Sequence, residues 1–337
     1  LPNDLIRALR LDATADARLI VDHFPRLTDF HTQFDTWSEC HHLVGATLVV
    51  ADSGYGKTSW LKAVRRVIEH EPVHLIRLER RLLSQRQVLQ CIARELEVPE
   101  ANASSLTTLV SWLRSGPRRV VMVDDVHLLY LRGVGTFQAW LLLLDLIERT
   151  GTHVFWICTM AKHPFDYLDW ARRGQRVFRT THHLEAWPEQ DIASLIHQRV
   201  EAAGYDVLYD DLIVDRVEGV EAKAQLVSTE REYSRLIWDY SDGSPKVALH
   251  CWRNSLLLDT KKRVRVRLFR RPDEKLLEQL NSQQKFLLAS LLWHETLTVA
   301  EAMQSMRYPR IVCQDTYTLL TEWGVLEPLE GGRYHVE

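Results

Sequence analysis

The chain has 337 residues, 46% hydrophobic and 26% charged, which is the composition of folded domains and excludes a disordered or low-complexity protein. Its 42 basic and 45 acidic residues leave a formal net charge of −3, so a nucleic-acid or membrane role has to rest on a local patch and not on total charge. Five scattered cysteines without CxxC spacing read as cytoplasmic thiols, and the longest apolar run, near Ala139–Ile147, is far short of the ~20 residues that span a bilayer.

In chain order, the first half alternates short apolar runs with helical patterns. Strands are predicted at Thr47–Val50, Val73–Leu78, Arg119–Val123, His153–Thr159 and Val177–His182. Helices are predicted at Thr58–Glu69, Ser84–Glu95, Leu106–Arg114, Phe137–Arg149 and Pro164–Arg173. The strands lack strict alternation, as strands covered on both faces do. This is an α/β fold with a parallel sheet, expected over residues 1–187 with 1–30 as a lead-in.

After Trp187 the strand signal stops. Pro188–Ala203 reads as a helix, and helical segments continue to about Leu258, broken at Ser241–Pro245, so residues 188–260 are expected to form a helical domain. Residues 261–337 begin with Lys261–Arg271, in which seven of eleven residues are Lys or Arg. Charge and apolar side chains alternate from Arg263 to Leu268, as in a half-buried strand. Three short helices follow, Ser282–Trp293, Val299–Met306 and Ile311–Trp323, then a hairpin of Val325–Leu329 and Arg333–Val336 turning at Gly331-Gly332. Three helices and a hairpin form the winged-helix pattern.

The strongest chemical signal is Ala51-Asp52-Ser53-Gly54-Tyr55-Gly56-Lys57-Thr58, between a predicted strand and a predicted helix. Gly54 and Gly56 let the backbone curl so that successive N–H groups point at phosphate oxygens, and the helix N-terminus adds a favourable dipole. Lys57 supplies a point charge for the β and γ phosphates, and the Thr58 hydroxyl is a ligand for Mg²⁺. Asp52, Ser53, Gly54, Tyr55, Gly56, Lys57, Thr58 and Ser59 are therefore the candidate nucleotide-binding residues, with Ala51 where a first glycine is usual.

A second motif, Arg119-Val-Val-Met-Val-Asp124-Asp125-Val-His127, is a hydrophobic strand that ends in two carboxylates. Asp124 is expected to hold Mg²⁺, and Asp125 to orient or deprotonate the attacking water. Asp is one methylene shorter than a Glu, so slow hydrolysis, or a nucleotide that acts mainly as a switch, is expected. Thr159, at the polar end of the next strand, is a candidate γ-phosphate sensor.

The order of P-loop, acid-ended strand, polar-ended strand, helical region and Gly243-Ser-Pro-Lys246 resembles the AAA+ ATPase superfamily, in the branch of origin-recognition initiators and STAND signalling ATPases. The resemblance covers roughly residues 23 to 260. It implies that Lys246 contacts the phosphates from a lid helix, that His23–His31 cups the adenine, and that ATP is preferred over GTP. It also implies a homo-oligomer in which a neighbour's arginine completes the site, and Arg172, Arg173 and Arg176 lie in the corresponding region.

Between Pro272 and Glu337 there are five basic and ten acidic residues, and Ile311–Trp323 has no Lys or Arg after Arg310. A DNA-reading domain presents a basic face, so protein partners are expected here. The expected function is an ATP-hydrolysing, nucleotide-controlled oligomeric switch or assembly factor. The alternatives are a DNA-bound loader or transposition-type regulator, gripping nucleic acid through Lys261–Arg271, and a STAND-like signalling module.

Overall fold

The computed structural model describes residues 1–9, 27–68, 72–133, 135–172, 177–212, 220–260, 262–269 and 275–336. Two units divide the chain: Arg26–Asp52, Val64–His183 and Asp273–Glu337 form one, and Leu1–Pro25, Ser53–Ala63 and Leu184–Pro272 the other.

In the first unit, β1 (Ala46–Ala51), β2 (Val73–Arg77), β3 (Arg119–Asp124), β4 (Val154–Ala161) and β5 (Thr180–His183) form one sheet in the order β2-β3-β4-β1-β5. Every pairing is parallel. All positions of β1, β3 and β4 are buried. Successive side chains of a strand point to opposite faces, so complete burial means that both faces are covered, which explains why no alternation was visible in Val-, Ile- and Leu-rich runs. The helices α4 (Gln85–Glu95) and α5 (Leu106–Ser115) start at capping boxes made by Ser84 with Gln87 and by Ser105 with Thr108. Helix α6 (Gln138–Thr150) buries its leucine-rich face in the same core.

The C-terminal part of this unit contains the expected helices: α12 (Ser282–His294), α13 (Val299–Met306) and α14 (Arg310–Glu322). Strands β10 (Leu326–Leu329) and β11 (Arg333–Val336) pair antiparallel, and the two-residue strand β9 (Leu297–Thr298) joins β11 as a third, unforeseen member. Their core includes Leu131, which follows β3 in sequence, together with Leu287, Leu291, Tyr317 and Leu320.

In the second unit, α1 (Asn3–Ala8) packs on α8 (Glu189–Ala203), and the Arg199 guanidinium donates to Ala8 O at 2.8 Å. The expectation that strands stop at Trp187 is corrected here. Strand β8 (Arg263–Val266) lies between β6 (Asp206–Leu208), parallel to it, and β7 (Leu256–Thr260), antiparallel. β7 directly follows α10 (Pro245–Ser255) and begins with three leucines, residues with strong helix propensity, and exposes four of its five positions. β6 has only three residues, too few for a period to register. The alternation in the basic run is real, since Val264 and Val266 are buried and Arg263 and Arg265 exposed. Lys261, Arg270 and Arg271 lie outside the described residues.

Candidate nucleotide-binding site

The P-loop opens α3 (Lys57–Val67). Gly54 and Gly56 have φ of +83° and +95°, conformations that L side chains rarely adopt, so the curled backbone requires glycine at both positions. At Gly54 a second constraint coincides with the first. A Cβ there would stand 2.3 Å from Lys246 Cβ. Lys246 is the second residue of α10, which starts behind Ser244 with Pro245 at its first position, where a missing N–H costs nothing. The loop and Lys246 of α10 thus abut within one unit.

The turn that carries Lys246 is itself constrained. Gly243 has φ +67°, and a Cβ on it would lie 2.7 Å from Trp187 O. Its carbonyl accepts from Trp187 N–H at 2.9 Å, and its own N–H donates to Trp238 O at 3.3 Å. Tyr55 Oη donates to Asp242 O at 3.2 Å, a second link between loop and turn.

Lys57 is buried, at 7% exposure, at the start of a helix with no acidic residue in its first turn. A polyphosphate is attracted both by an ammonium and by the positive end of a helix dipole. Glycine geometry, buried lysine and helix terminus therefore fit an anionic ligand of this class. Thr58 and Ser59 are half-buried and Ser53 is exposed. Asp52, which follows β1 in the first unit, lies 3.8 Å from Lys162 Nζ, the residue that follows β4.

In the first unit β3 delivers its two acids as anticipated. Asp124 is 4% exposed. One residue past the Val123–Cys158 pair, on β4, is Thr159, fully buried, whose hydroxyl donates to Asp124 Oδ1 at 2.6 Å and accepts from Asp125 N–H at 2.8 Å. One hydroxyl fixes both acids. The carboxylate of Asp124 is the kind of hard oxygen donor that suits Mg²⁺. Asp125 has φ +60° and ψ +48°, a left-handed conformation that turns the chain sharply out of β3. Of the arginines, Arg172 ends α7 (Lys162–Arg172), while Arg173 and Arg176 lie outside the described residues. The described part of His23–His31 opens α2 (Leu27–Glu39), where Phe30 packs edge-on against Phe155 with centroids 5.8 Å apart.

Four residues around this turn were missed by sequence reading. Arg81, 8% exposed, donates to His127 O at 3.1 Å and to Tyr130 O, and on the other side to Thr296 O at 2.8 Å and His294 O at 3.5 Å. It also pairs with Glu301 at 3.4 Å. One guanidinium therefore ties the segment after β3 to the segment after α12. His294 accepts from Arg132 N–H through Nε2 at 3.0 Å and makes a 2.6 Å hydrogen bond from Nδ1 to Ser290 O, which sets its tautomer. Burial, reinforced by the Arg81 charge, holds its pKa down to about 4. The buried His127 presents Nε2 to Glu295 Oε2 at 3.4 Å and Nδ1 to Asp125 Oδ1 at 3.8 Å. Only His127 left a local trace, two residues after the acid pair.

Residues 40–162 match the family model described as AAA domain. No curated protein matches the chain. Among solved structures, Cdc6p from Pyrobaculum aerophilum is similar over 98% of this chain and 92% of its own, at 14% identity and a TM-score of 0.49. The ADP form of the ORC2 protein of Aeropyrum pernix gives 98% and 93% coverage, 14% identity and a TM-score of 0.49. The Walker-type ATPase paby2304 of Pyrococcus abyssi gives 98% and 97%, 12% identity and a TM-score of 0.46. The matched residues include β1, the P-loop, the acid pair and Thr159, so the segment of the parallel sheet that carries the predicted motifs is the part of this chain that is similar to an AAA domain.

Proposed function

We propose that this protein binds ATP with Mg²⁺, hydrolyses it slowly, and uses the nucleotide to switch an oligomer that acts on protein partners. The observation that carries the reading is the contact of Lys246 with Gly54. A basic residue on a lid helix that abuts the phosphate loop makes the position of that helix depend on what the loop holds, which is the two-state element a switch needs. In this reading Lys57 and the loop N–H groups bind the phosphates, while Thr58 and Asp124 hold Mg²⁺, which neutralises charge on the phosphate oxygens. Thr159 keeps the two acids in register, and it would sense a γ-phosphate through Asp124, which holds its one hydroxyl proton. Asp125 takes the proton of the attacking water as the water oxygen bonds to the γ-phosphorus. The bond from that phosphorus to the β–γ bridging oxygen breaks, and its electron pair leaves with ADP. An arginine of a neighbouring subunit, from the region of Arg172, Arg173 and Arg176, stabilises the charge that develops.

The test is the ATP hydrolysis rate per subunit as protein concentration is raised, with Lys57→Ala as blank. A rate that climbs steeply and then levels off supports sites completed between subunits. A flat rate above the blank, with a monomer by sizing, sinks the oligomeric switch, and a rate equal to the blank sinks turnover.

A DNA-bound regulator is the second reading, favoured by the exposed arginines of β8. Two features weigh against it. Arg265 is already paired with Asp259 at 2.9 Å and Asp211 at 3.5 Å, and Lys262 with Asp4 at 3.2 Å. The C-terminal region, read as a winged helix, has twice as many acids as bases. Salt-dependent duplex affinity that vanishes when Arg263 and Arg267 are neutralised would reverse the ranking.

A further inference from the structure

We propose that His127 and Glu295 are positioning residues for Asp125, forming a carboxylate–imidazole–carboxylate chain through which the C-terminal helices set the orientation of the hydrolytic acid. This rests on the reading of Asp125 as the group that takes the proton from water.

Three observations converge on the chain. The imidazole is 3% exposed, and each of its two nitrogens faces a different carboxylate. Both carboxylates stand on backbone that L residues rarely adopt, Asp125 at φ +60° and Glu295 at φ +59°, ψ −43°. Such strain persists only where the surroundings over-determine it, and it concentrates at functional positions. Third, Arg81 holds both ends. It binds the carbonyl of His127 on one side and those of His294 and Thr296, the neighbours of Glu295, on the other. The backbone on either side of Glu295 and the carbonyl of His127 are thus held by one guanidinium.

A charged group at ion-pair distance biases where a carboxylate points, and a base loses rate steeply when its geometry loosens. Asp125 has only one methylene between backbone and carboxyl, so its direction is set by its left-handed backbone and by what meets its oxygens. A displacement of α12 that withdraws Glu295 would release the imidazole and with it the acid. The C-terminal domain thereby reports its position to the hydrolytic site without touching nucleotide.

A metal ion on the same three side chains is the competing explanation. Their ligand atoms lie within 4.8 Å of one another. A metal needs one ring nitrogen and both carboxylates to converge on a point about 2 Å from each. Here the ring turns Nε2 to Glu295 at 3.4 Å and Nδ1 to Asp125 at 3.8 Å, one ion-pair contact through each nitrogen.

The test uses the full chain and a double-mutant cycle. Glu295→Gln keeps the shape and removes the charge. It should lower kcat about tenfold with KM for ATP within about twofold. In an Asp125→Asn background it should have no further effect, because the end of the chain is already gone. An equal fall of kcat in both backgrounds, or a fall explained by a lower melting temperature, overturns the proposal. If Asp125→Asn itself leaves kcat unchanged, the reading of Asp125 fails instead. A readout independent of turnover separates the two: in histidine-¹⁵N-labelled protein, Asp125→Asn and Glu295→Gln should each shift the His127 ring signals, assigned by their loss in His127→Gln. Unmoved signals overturn the chain. So does a stoichiometric transition metal in the purified protein that His127→Gln removes.

Discussion

Lowering the pH tests how the C-terminal helices are fastened, and His294 sets the magnitude. Its ring is 1% exposed, with one nitrogen in a hydrogen bond to Ser290 O and the other accepting from Arg132 N–H. A second proton would replace that acceptor by a donor aimed at a donor, in a buried place beside the Arg81 cation. The folded pKa is accordingly about 4 against an ordinary 6.5. A depressed pKa means that the unfolded chain binds the proton first as pH falls. The contribution is therefore fully present above pH 6.5, is lost as pH falls towards 4, and levels off below that. Linkage puts the loss between pH 7 and pH 5 at about 2 kcal/mol, and the whole span at about 3 kcal/mol. Urea unfolding at pH 7 and pH 5 measures it, with His294→Gln as the comparison, since a glutamine can keep an acceptor for Arg132 N–H without titrating. The pH-dependent loss should shrink by about 2 kcal/mol in the variant. His74 and His153, whose pKa values burial also lowers, contribute equally to both proteins and cancel. Equal losses in wild type and variant would refute the reasoning.

Three further outcomes follow from the same geometry. Gly54→Ala forces a non-glycine residue to φ +83° and drives a Cβ into Lys246 Cβ, an atom next to the backbone that cannot swing aside; nucleotide affinity should fall at least tenfold by calorimetry, and unchanged affinity would mean that loop and lid helix are independent. Thr159→Val removes the hydroxyl shared by Asp124 and Asp125 and leaves Asp125 N–H without that acceptor; hydrolysis should fall, and stability should drop by about 1–3 kcal/mol in a denaturant titration. Arg81→Met strips the guanidinium from the carbonyls of His127, Tyr130, His294 and Thr296 and leaves Glu301 without its ion pair; limited proteolysis should cut after α12 sooner than in wild type, and identical cleavage kinetics would show that the clamp does not hold the C-terminal helices.

What the sequence determines by itself is the chemistry written in consecutive residues. Gly54, Gly56, Lys57 and Thr58 act through one stretch of backbone, so their spacing is their geometry, and the acid pair is legible because Asp124 and Asp125 end an apolar run. The alternation of Arg263–Leu268 likewise states which face is buried before any partner strand is known. What only the tertiary structure decides is which distant groups meet. Thr159 bonds to Asp124 because the parallel register of β3 and β4 sets Val123 against Cys158, a relation no local pattern records. Lys246 is far from Gly54 in sequence, and only the folded chain sets its Cβ against that glycine. Arg81 and His294 are 213 residues apart and Arg132 and His294 162, and neither pair has a periodicity to betray it. Such contacts depend on where a folded group of helices docks, and docking follows the sum of many side-chain shapes, whereas a P-loop follows from the allowed conformations of a few residues.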